Sequence, residues 1–288
     1  MATLRNIKHR IVGVKSTQQI TRAMKMVAAT KLRKSQQRLL NTRPYADELA
    51  RVLGHVKARS GKTLHPLFEI RPSRRVCYVL ISSDKGLCGG FNANLIRRAR
   101  QELEKSAGEA EESFLMTIGR KGYKHFKRRE QNIAAHWLDL FNHLEFKHAH
   151  DIAVTLLRFY EKKKLDRIYI IYSRFKSAVR QEIVVEQVLP IKAVKPVEEA
   201  FPVNFIYEPS PYMILDHLCP MSIKFQLWRM LLESSTSEFG ARMTAMESAT
   251  DNAEERIKEL TLSYNKARQA AITKEITEIV AGAEALKG

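Results

Sequence analysis

Apolar residues recur at helical spacing at both ends of this chain, and short continuous apolar runs lie between. Leu4, Ile7, Ile11 and Val14 follow a 3-4-3 spacing, which predicts an amphipathic helix from about Thr3 to about Lys57. Its seam is expected to drift through Ile20, Met24 and Val27 to Leu32 and Leu39, then on to Leu49, Val52, Leu53 and Val56. Pro44, the first proline, marks a place for a kink or a restart. Near the other end, Met246, Thr250, Ala253, Ile257, Leu260, Tyr264, Ala267 and Ala271 alternate spacings of four and three. That is a heptad seam, the sign of a coiled coil, and its alanines permit close helix approach. No proline follows Pro220, and no glycine falls between Gly240 and Gly282. A helix from about Met213 to about Leu286 is expected, on the order of 100 Å long at ~1.5 Å per residue. An element of that length cannot bury one face against a compact domain throughout. Two such helices at opposite ends predict an antiparallel pair, with the remaining chain inserted at one end.

The middle has a different texture. Val76 to Ile81, Phe114 to Ile118 and Ile168 to Tyr172 are apolar and β-rich, as suits strands buried on both faces of a parallel sheet. Helical patterns separate them, from Ala93 to about Lys105 and from His148 to about Lys163. The alternation predicts an α/β layer domain from about Arg74 to Phe205, with Ile183 to Leu189 as a further strand at an antiparallel edge. Val194 to Pro211, with four prolines, leads out of it. The expected organisation is therefore a helix over 1–58, an α/β domain over 74–205 and a second helix over 210–288.

Charge changes this picture. The 288 residues hold 49 Lys and Arg against 31 Asp and Glu, a net +18, and no acid precedes Asp47. Such a field attracts a polyanion: nucleic acid, an acidic membrane surface or an acidic protein surface. Charge alone does not choose among them. Residues 1–44 carry no aromatic side chain for base stacking, and no zinc-finger or RNA-recognition signature occurs. A basic coiled-coil module that binds nucleic acid is thus the alternative reading. No apolar run approaches the ~20 residues needed to span a bilayer. The acid-free start imitates a mitochondrial presequence, but its periodicity continues into the body of the chain, so it is expected to belong to the mature fold.

Candidate chemistry is sparse. Cys77, Cys88 and Cys219 form neither a disulfide framework nor a zinc pattern, and they suit a reducing compartment. His143, His148 and His150 cluster without matching cysteines or carboxylates, so no metal site is expected. No serine sits in a nucleophile elbow. Ser82 to Asn92 follows a strand and precedes a helix, where phosphate loops sit. Its Gly86, Gly89 and Gly90 give Gly-x-x-Gly-Gly, which matches neither the dinucleotide nor the Walker fingerprint, so a tight strand-to-helix turn competes with phosphate binding. A phosphate-binding α/β enzyme flanked by helices is the third reading.

Four motifs in order along the chain carry a resemblance. They are Ile7 to Ala29 with its Lys15-Ser16-Thr17-Gln18-Gln19-Ile20-Thr21 core; Ser83-Asp84-Lys85-Gly86-Leu87-Cys88-Gly89-Gly90-Phe91-Asn92; Ser237 to Ala253; and Tyr264 to Gln269 with Ile272 to Ala285. Together they resemble the gamma subunits of F-type, proton-translocating ATP synthases. The resemblance implies the two-helix coiled coil with an inserted Rossmann-like α/β domain, acting as a rotor that is not catalytic alone and needs no cofactor or metal. Its implied partners are the hexamer of alpha and beta subunits, the epsilon subunit and the ring of c subunits. By motif match, Met24, Cys88, Arg242, Arg268 and Gln269 are implied to meet the hexamer, and Tyr207 and Glu208 to lie near the c ring and epsilon. The implied location is the cytoplasmic side of a bacterial inner membrane, peripheral, or the matrix side of the mitochondrial inner membrane. Lys85 stands where the family commonly has arginine, and the chain lacks an insertion with a regulatory cysteine pair, so thiol regulation is not expected.

Overall fold

The structure, a computed structural model, describes residues 4–59, 65–129, 131–192, 208 and 210–285. In chain order the elements are α1 (Leu4–Arg59), β1 (Arg75–Ile81), α2 (Phe91–Glu109), β2 (Glu112–Ile118), α3 (Arg120–Lys127), β3 (Ile133–Trp137), α4 (Phe146–Glu161), β4 (Arg167–Phe175), β5 (Gln181–Leu189) and α5 (Pro211–Ala285). The chain forms two compact units, Met1–Ala28 with Met243–Gly288, and Ala29–Arg242, and α1 and α5 contribute to both. Both long helices are continuous through their prolines, Pro44 in α1 and Pro220 in α5.

In the first unit the start of α1 pairs with the end of α5. Thr250 Oγ1 donates to Thr21 Oγ1 at 2.8 Å, and Lys25 Nζ meets Glu247 Oε1 at 2.6 Å. Numbers rise on one helix as they fall on the other, so the pair is antiparallel. The predicted seam of α5 holds: Met246, Thr250, Ala253 and Leu260 are buried, and Ile257, Tyr264, Ala267 and Ala271 are half-buried. The predicted seam of α1 needs correction after Val14. Ile20 and Val27 are each 57% exposed, while Gln18, Thr21 and Ala28 turn inward. One residue of displacement is ~100° around a helix, so 4-3 spacing from Val14 reaches Gln18 and Thr21 and misses Ile20. Polar and small residues, not the bulkiest apolar ones, fill this seam.

The second unit is built on a five-stranded sheet of order β3-β2-β1-β4-β5. β1 pairs in parallel with β2 and β4, β2 with β3, and β5 runs antiparallel at the edge as expected. Alternation along β1 sends Cys77, Val79 and Ile81 to one face and Val76, Tyr78 and Leu80 to the other. The first face carries the larger core, shared with α4 (Ile152, Leu156, Tyr160), α1 (Leu39, Leu53, Val56) and α5 (Leu215 to Leu232). The second packs on α2 through Leu95, Ala99 and Leu103 and on α3 through Phe126. His148 of the histidine cluster is a cap: its Nδ1 accepts the Glu145 N–H at 3.1 Å at the start of α4.

A polar knot ties α5 to the sheet edge. Glu186 of β5 accepts from Tyr172 Oη at 2.8 Å, Arg229 Nη2 at 2.9 Å and Gln226 Nε2 at 3.0 Å, with Arg174 Nη2 at 3.3 Å. Burial alone raises the pKa of this carboxyl, but the two arginines, Gln226 and Tyr172 outweigh it and hold Glu186 below the ordinary carboxylate range.

Candidate functional site

The strand order reverses between β1 and β4, and the loop leaving β1 at that point is the glycine loop, Ser82 to Gly90. In open α/β sheets this crevice beyond the carboxyl ends of the strands is where ligands bind. Here the chain itself fills it. Ser234, Ser235 and Glu238 of α5 pack against Ser82, Ser83 and Phe91, leaving no room for a water molecule. Of the two readings of this loop, the geometry favours the strand-to-helix turn, and the turn grips a helix.

The turn is heavily anchored. Asp84, 8% exposed, accepts three backbone N–H groups: Arg120 and Asp139 at 2.9 Å on Oδ1, and Phe141 at 3.2 Å on Oδ2. One carboxylate thus joins the loops after β1, β2 and β3, with hydrogen bonds strengthened by its charge. Ser82 Oγ donates to Ile118 O at 3.1 Å and accepts the Gly122 N–H at 2.9 Å. Gly119 adopts φ +93°, and a Cβ there would lie 2.1 Å from Ser82 O, so only glycine fits. Asn92 Nδ2 donates to Ser83 Oγ at 2.8 Å and to Cys88 Sγ at 3.1 Å. These bonds present Lys85 and Leu87 outward; Leu87 is 65% exposed with φ +61°.

Two charged residues of α5 lie behind the loop. Arg242 Nη2 donates to Gly86 O at 3.0 Å, and the same guanidinium lies against Glu238 Oε1, without the alignment of a hydrogen bond. Burial pushes the Glu238 carboxyl up to about 7; Arg242, Lys31 and Lys85 pull it down and Asp84 pushes it further up. Burial also raises the Cys88 thiol, reinforced by Glu238, so this cysteine is held as a neutral thiol.

The structure brings Cys88 and Arg242 together around this loop. Met24 is half-buried in the helix pair of the first unit, and Arg268 and Gln269 stand exposed on α5 there. Neither Arg268 nor Gln269 has a side-chain partner among the described residues. Glu208 is exposed, and Tyr207 lies outside the described residues. Among the described residues, no group of three His, Cys, Asp or Glu is placed to hold a metal ion, and no helix is long and apolar enough to cross a membrane.

Sequence reasoning assigned no role to Asp84 or Glu238. A signal existed for Glu238, which stands one helical turn before Arg242 with the opposite charge. Nothing local points Asp84 at amides 36 to 57 residues away.

Comparison with known proteins follows the same lines. The family described as ATP synthase matches residues 3–286. The chain is 47% identical over 288 residues to the ATP synthase gamma chain of Geobacter sp. (strain M21), covering 100% of both chains. It is also 47% identical over 290 residues, again with full coverage of both, to that of Anaeromyxobacter sp. (strain Fw109-5). Among solved structures, the Euglena gracilis mitochondrial ATP synthase (OSCP/F1/c-ring) contains a chain that superposes with TM-score 0.69 at 20% identity, over 98% of this chain and 94% of that one. A chain of the Tetrahymena thermophila mitochondrial ATP synthase central stalk/c-ring superposes with TM-score 0.60 at 25% identity, over 80% of this chain and 99% of that one. Full-length identity near one half, the antiparallel helix pair and the inserted sheet agree: the chain belongs to the ATP synthase gamma-chain family.

Proposed function

We propose that the chain is the central-stalk rotor subunit of an F-type ATP synthase. In that role it turns with a c ring and drives the alpha/beta hexamer through its catalytic states, and it works in reverse during hydrolysis. End-to-end identity with gamma chains carries the reading. The physics of the elements supports it. Packed helices transmit torque because close-packed interiors resist deformation. An acid-free helix start suits acidic partner surfaces, and screened ionic contacts are weak enough to break on every turn.

In this reading the subunit has no catalysis of its own and sits peripherally at the cytoplasmic face of a bacterial inner membrane. Met24, the loop containing Cys88, Arg242, Arg268 and Gln269 face the hexamer, and Tyr207 and Glu208 lie toward the c ring and epsilon. Exposure of Arg268 and Gln269 without side-chain partners among the described residues suits contact with surrounding subunits. Arg242 is less free for such contact, since its side chain is 12% exposed and already engaged within the chain. The test is copurification with alpha and beta subunits, followed by coupled ATP synthesis after deletion of the final helix from Ile272. Loss of coupling with the deletion is expected. Normal assembly and coupling in cells lacking this chain would overturn the proposal, and nuclease-resistant copurification with nucleic acid would favour a nucleic-acid module instead.

A further inference from the structure

Glu238 has no task in the reading above, and the geometry of its contact with Arg242 is specific. Glu238 is 5% exposed, and residues Ser82 to Lys85 of the glycine loop help to cover it. Its Oε1 touches the Arg242 guanidinium without a directed hydrogen bond, while Arg242 reaches past it to the Gly86 carbonyl. A buried acid, a cation and a loop carbonyl therefore form one chain of contacts. The charged groups facing Glu238 come from each element packed on it: Arg242 on α5, Lys31 on α1, and Asp84 and Lys85 in the loop. Lys31 is drawn over the Phe239 ring at 5.7 Å, and Asp84 spends both oxygens on amides. Neither supplies Glu238 with a hydrogen bond.

We propose that Glu238 is a positioning residue which, acting through Arg242, latches the glycine loop shut when it carries a proton and releases it when ionised. The loop is the part held in place: it keeps Leu87 exposed in a left-handed conformation and Cys88 buried at 2% exposure. Left-handed leucine is disfavoured, so the loop has reason to rearrange once an anchor is lost. The closed loop leaves beside Glu238 a cavity of about 20 Å³, room for one water; opening the loop gives the carboxyl bulk water, which favours the carboxylate. By linkage, a group that ionises more easily in the open state drives opening as pH rises. The carboxyl titrates at about 7 with the loop closed, against an ordinary 4.5 in water. Those two values give about tenfold more opening at pH 8 than at pH 6. Any consequence for partner contact rests on the rotor reading, whereas the latch itself belongs to the chain alone.

Labelling of Cys88 tests it. Its buried thiol reacts with a neutral maleimide only through the open loop, and peptide mapping separates it from Cys77 and Cys219, which are also buried. In the purified full-length chain, the labelling rate of wild type divided by that of Glu238→Gln should rise up to about tenfold from pH 6 to pH 8; the Glu238 charge itself holds the Cys88 thiol up and so works against that rise and cannot produce it. A second measurement avoids the variant: the wild-type rate divided by the rate for the same chain unfolded in denaturant at each pH should show the same rise. Ratios flat between pH 6 and pH 8, or labelling of Glu238→Gln as fast as wild type at pH 8, overturn the latch. Failure of the labelling experiment with coupling intact would remove the latch and leave the rotor reading standing. Failure of coupling with the labelling rise present would do the reverse.

Discussion

Replacing Asp84 should cost the second unit more than replacement of any exposed carboxylate, and the cost can be worked from its bonds. The side chain accepts two N–H groups at 2.9 Å and one at 3.2 Å, and is 8% exposed. Hydrogen bonds to a charged acceptor contribute about 1.5–3 kcal/mol net each, and three sharing one anchor are less than additive. Asp84→Ala should therefore destabilise by about 4 kcal/mol, which for a unit the size of Ala29–Arg242 lowers Tm by about 8–12 °C. Asp84→Asn is the discriminating variant. Its Oδ1 keeps the Arg120 and Asp139 amides, but its Nδ2 opposes the Phe141 N–H, donor against donor, so about 2 kcal/mol and about 5 °C are lost. Thermal melts give the totals, and hydrogen exchange gives the pattern. Asp84→Ala should speed exchange at Arg120, Asp139 and Phe141 together, and Asp84→Asn at Phe141 alone. A shift under 2 °C for Asp84→Ala, or equal shifts for both variants, refutes the argument that this carboxylate binds three loops.

Three further outcomes follow from other positions. Gly119→Ala should destabilise by several kcal/mol, because its Cβ would stand 2.1 Å from the Ser82 carbonyl at φ +93°, whereas Gly108→Ala in the open side of α2 should stabilise by up to ~1 kcal/mol; equal melts sink the clash. Glu186→Ala should cost about 2–3 kcal/mol, at the low end for a broken buried pair because the side chain is 23% exposed. Since the fold lowers the Glu186 pKa, its stabilisation is present at neutral pH and is lost as pH falls below the ordinary carboxylate range, so the gap between wild type and Glu186→Ala should close in acid. Arg268→Glu should leave the isolated chain's Tm within ~1 °C but impair assembly or coupled ATP synthesis, while Lys162→Glu at the end of α4 should affect neither; identical behaviour of the two removes the partner role for Arg268.

How much of this was legible in the sequence depended on whether a residue's task was local. The continuous apolar runs of β1, β2 and β4 were plain, because strands buried on both faces need no polar alternation. β3 passed unnoticed: Ile-Ala-Ala-His-Trp alternates half-buried and exposed positions at the sheet edge, and alanine is a poor strand former. α3 was hidden too, since half of Arg120 to Lys127 is charged and it buries only Gly122 and Phe126. The error in the α1 seam came from following hydrophobicity past the point where geometry turned. Ile20 and Val27 look like core, yet Gln18 and Thr21 have the right angle. At the loop, spacing pointed to a turn, and the family motif implied a partner-facing position. The three-loop role of Asp84 and the burial of Glu238 are tertiary facts, made by contacts across tens to hundreds of residues.

The plugged switch point has a consequence for heredity as well as for chemistry. Leu215, Ile223, Leu227 and Leu231 of α5 complete the larger core, and Ser234, Ser235 and Glu238 seal the crevice where a cofactor would enter a free-standing sheet of this topology. A gene fragment ending near Lys192 would encode five strands with the α5 side of one apolar face uncovered and an open mouth, and its product should aggregate. The sheet is therefore not a cassette that recombination can lift into another protein. It must be inherited with the helix that stoppers it, and substitutions on either side of that joint are expected to travel in pairs.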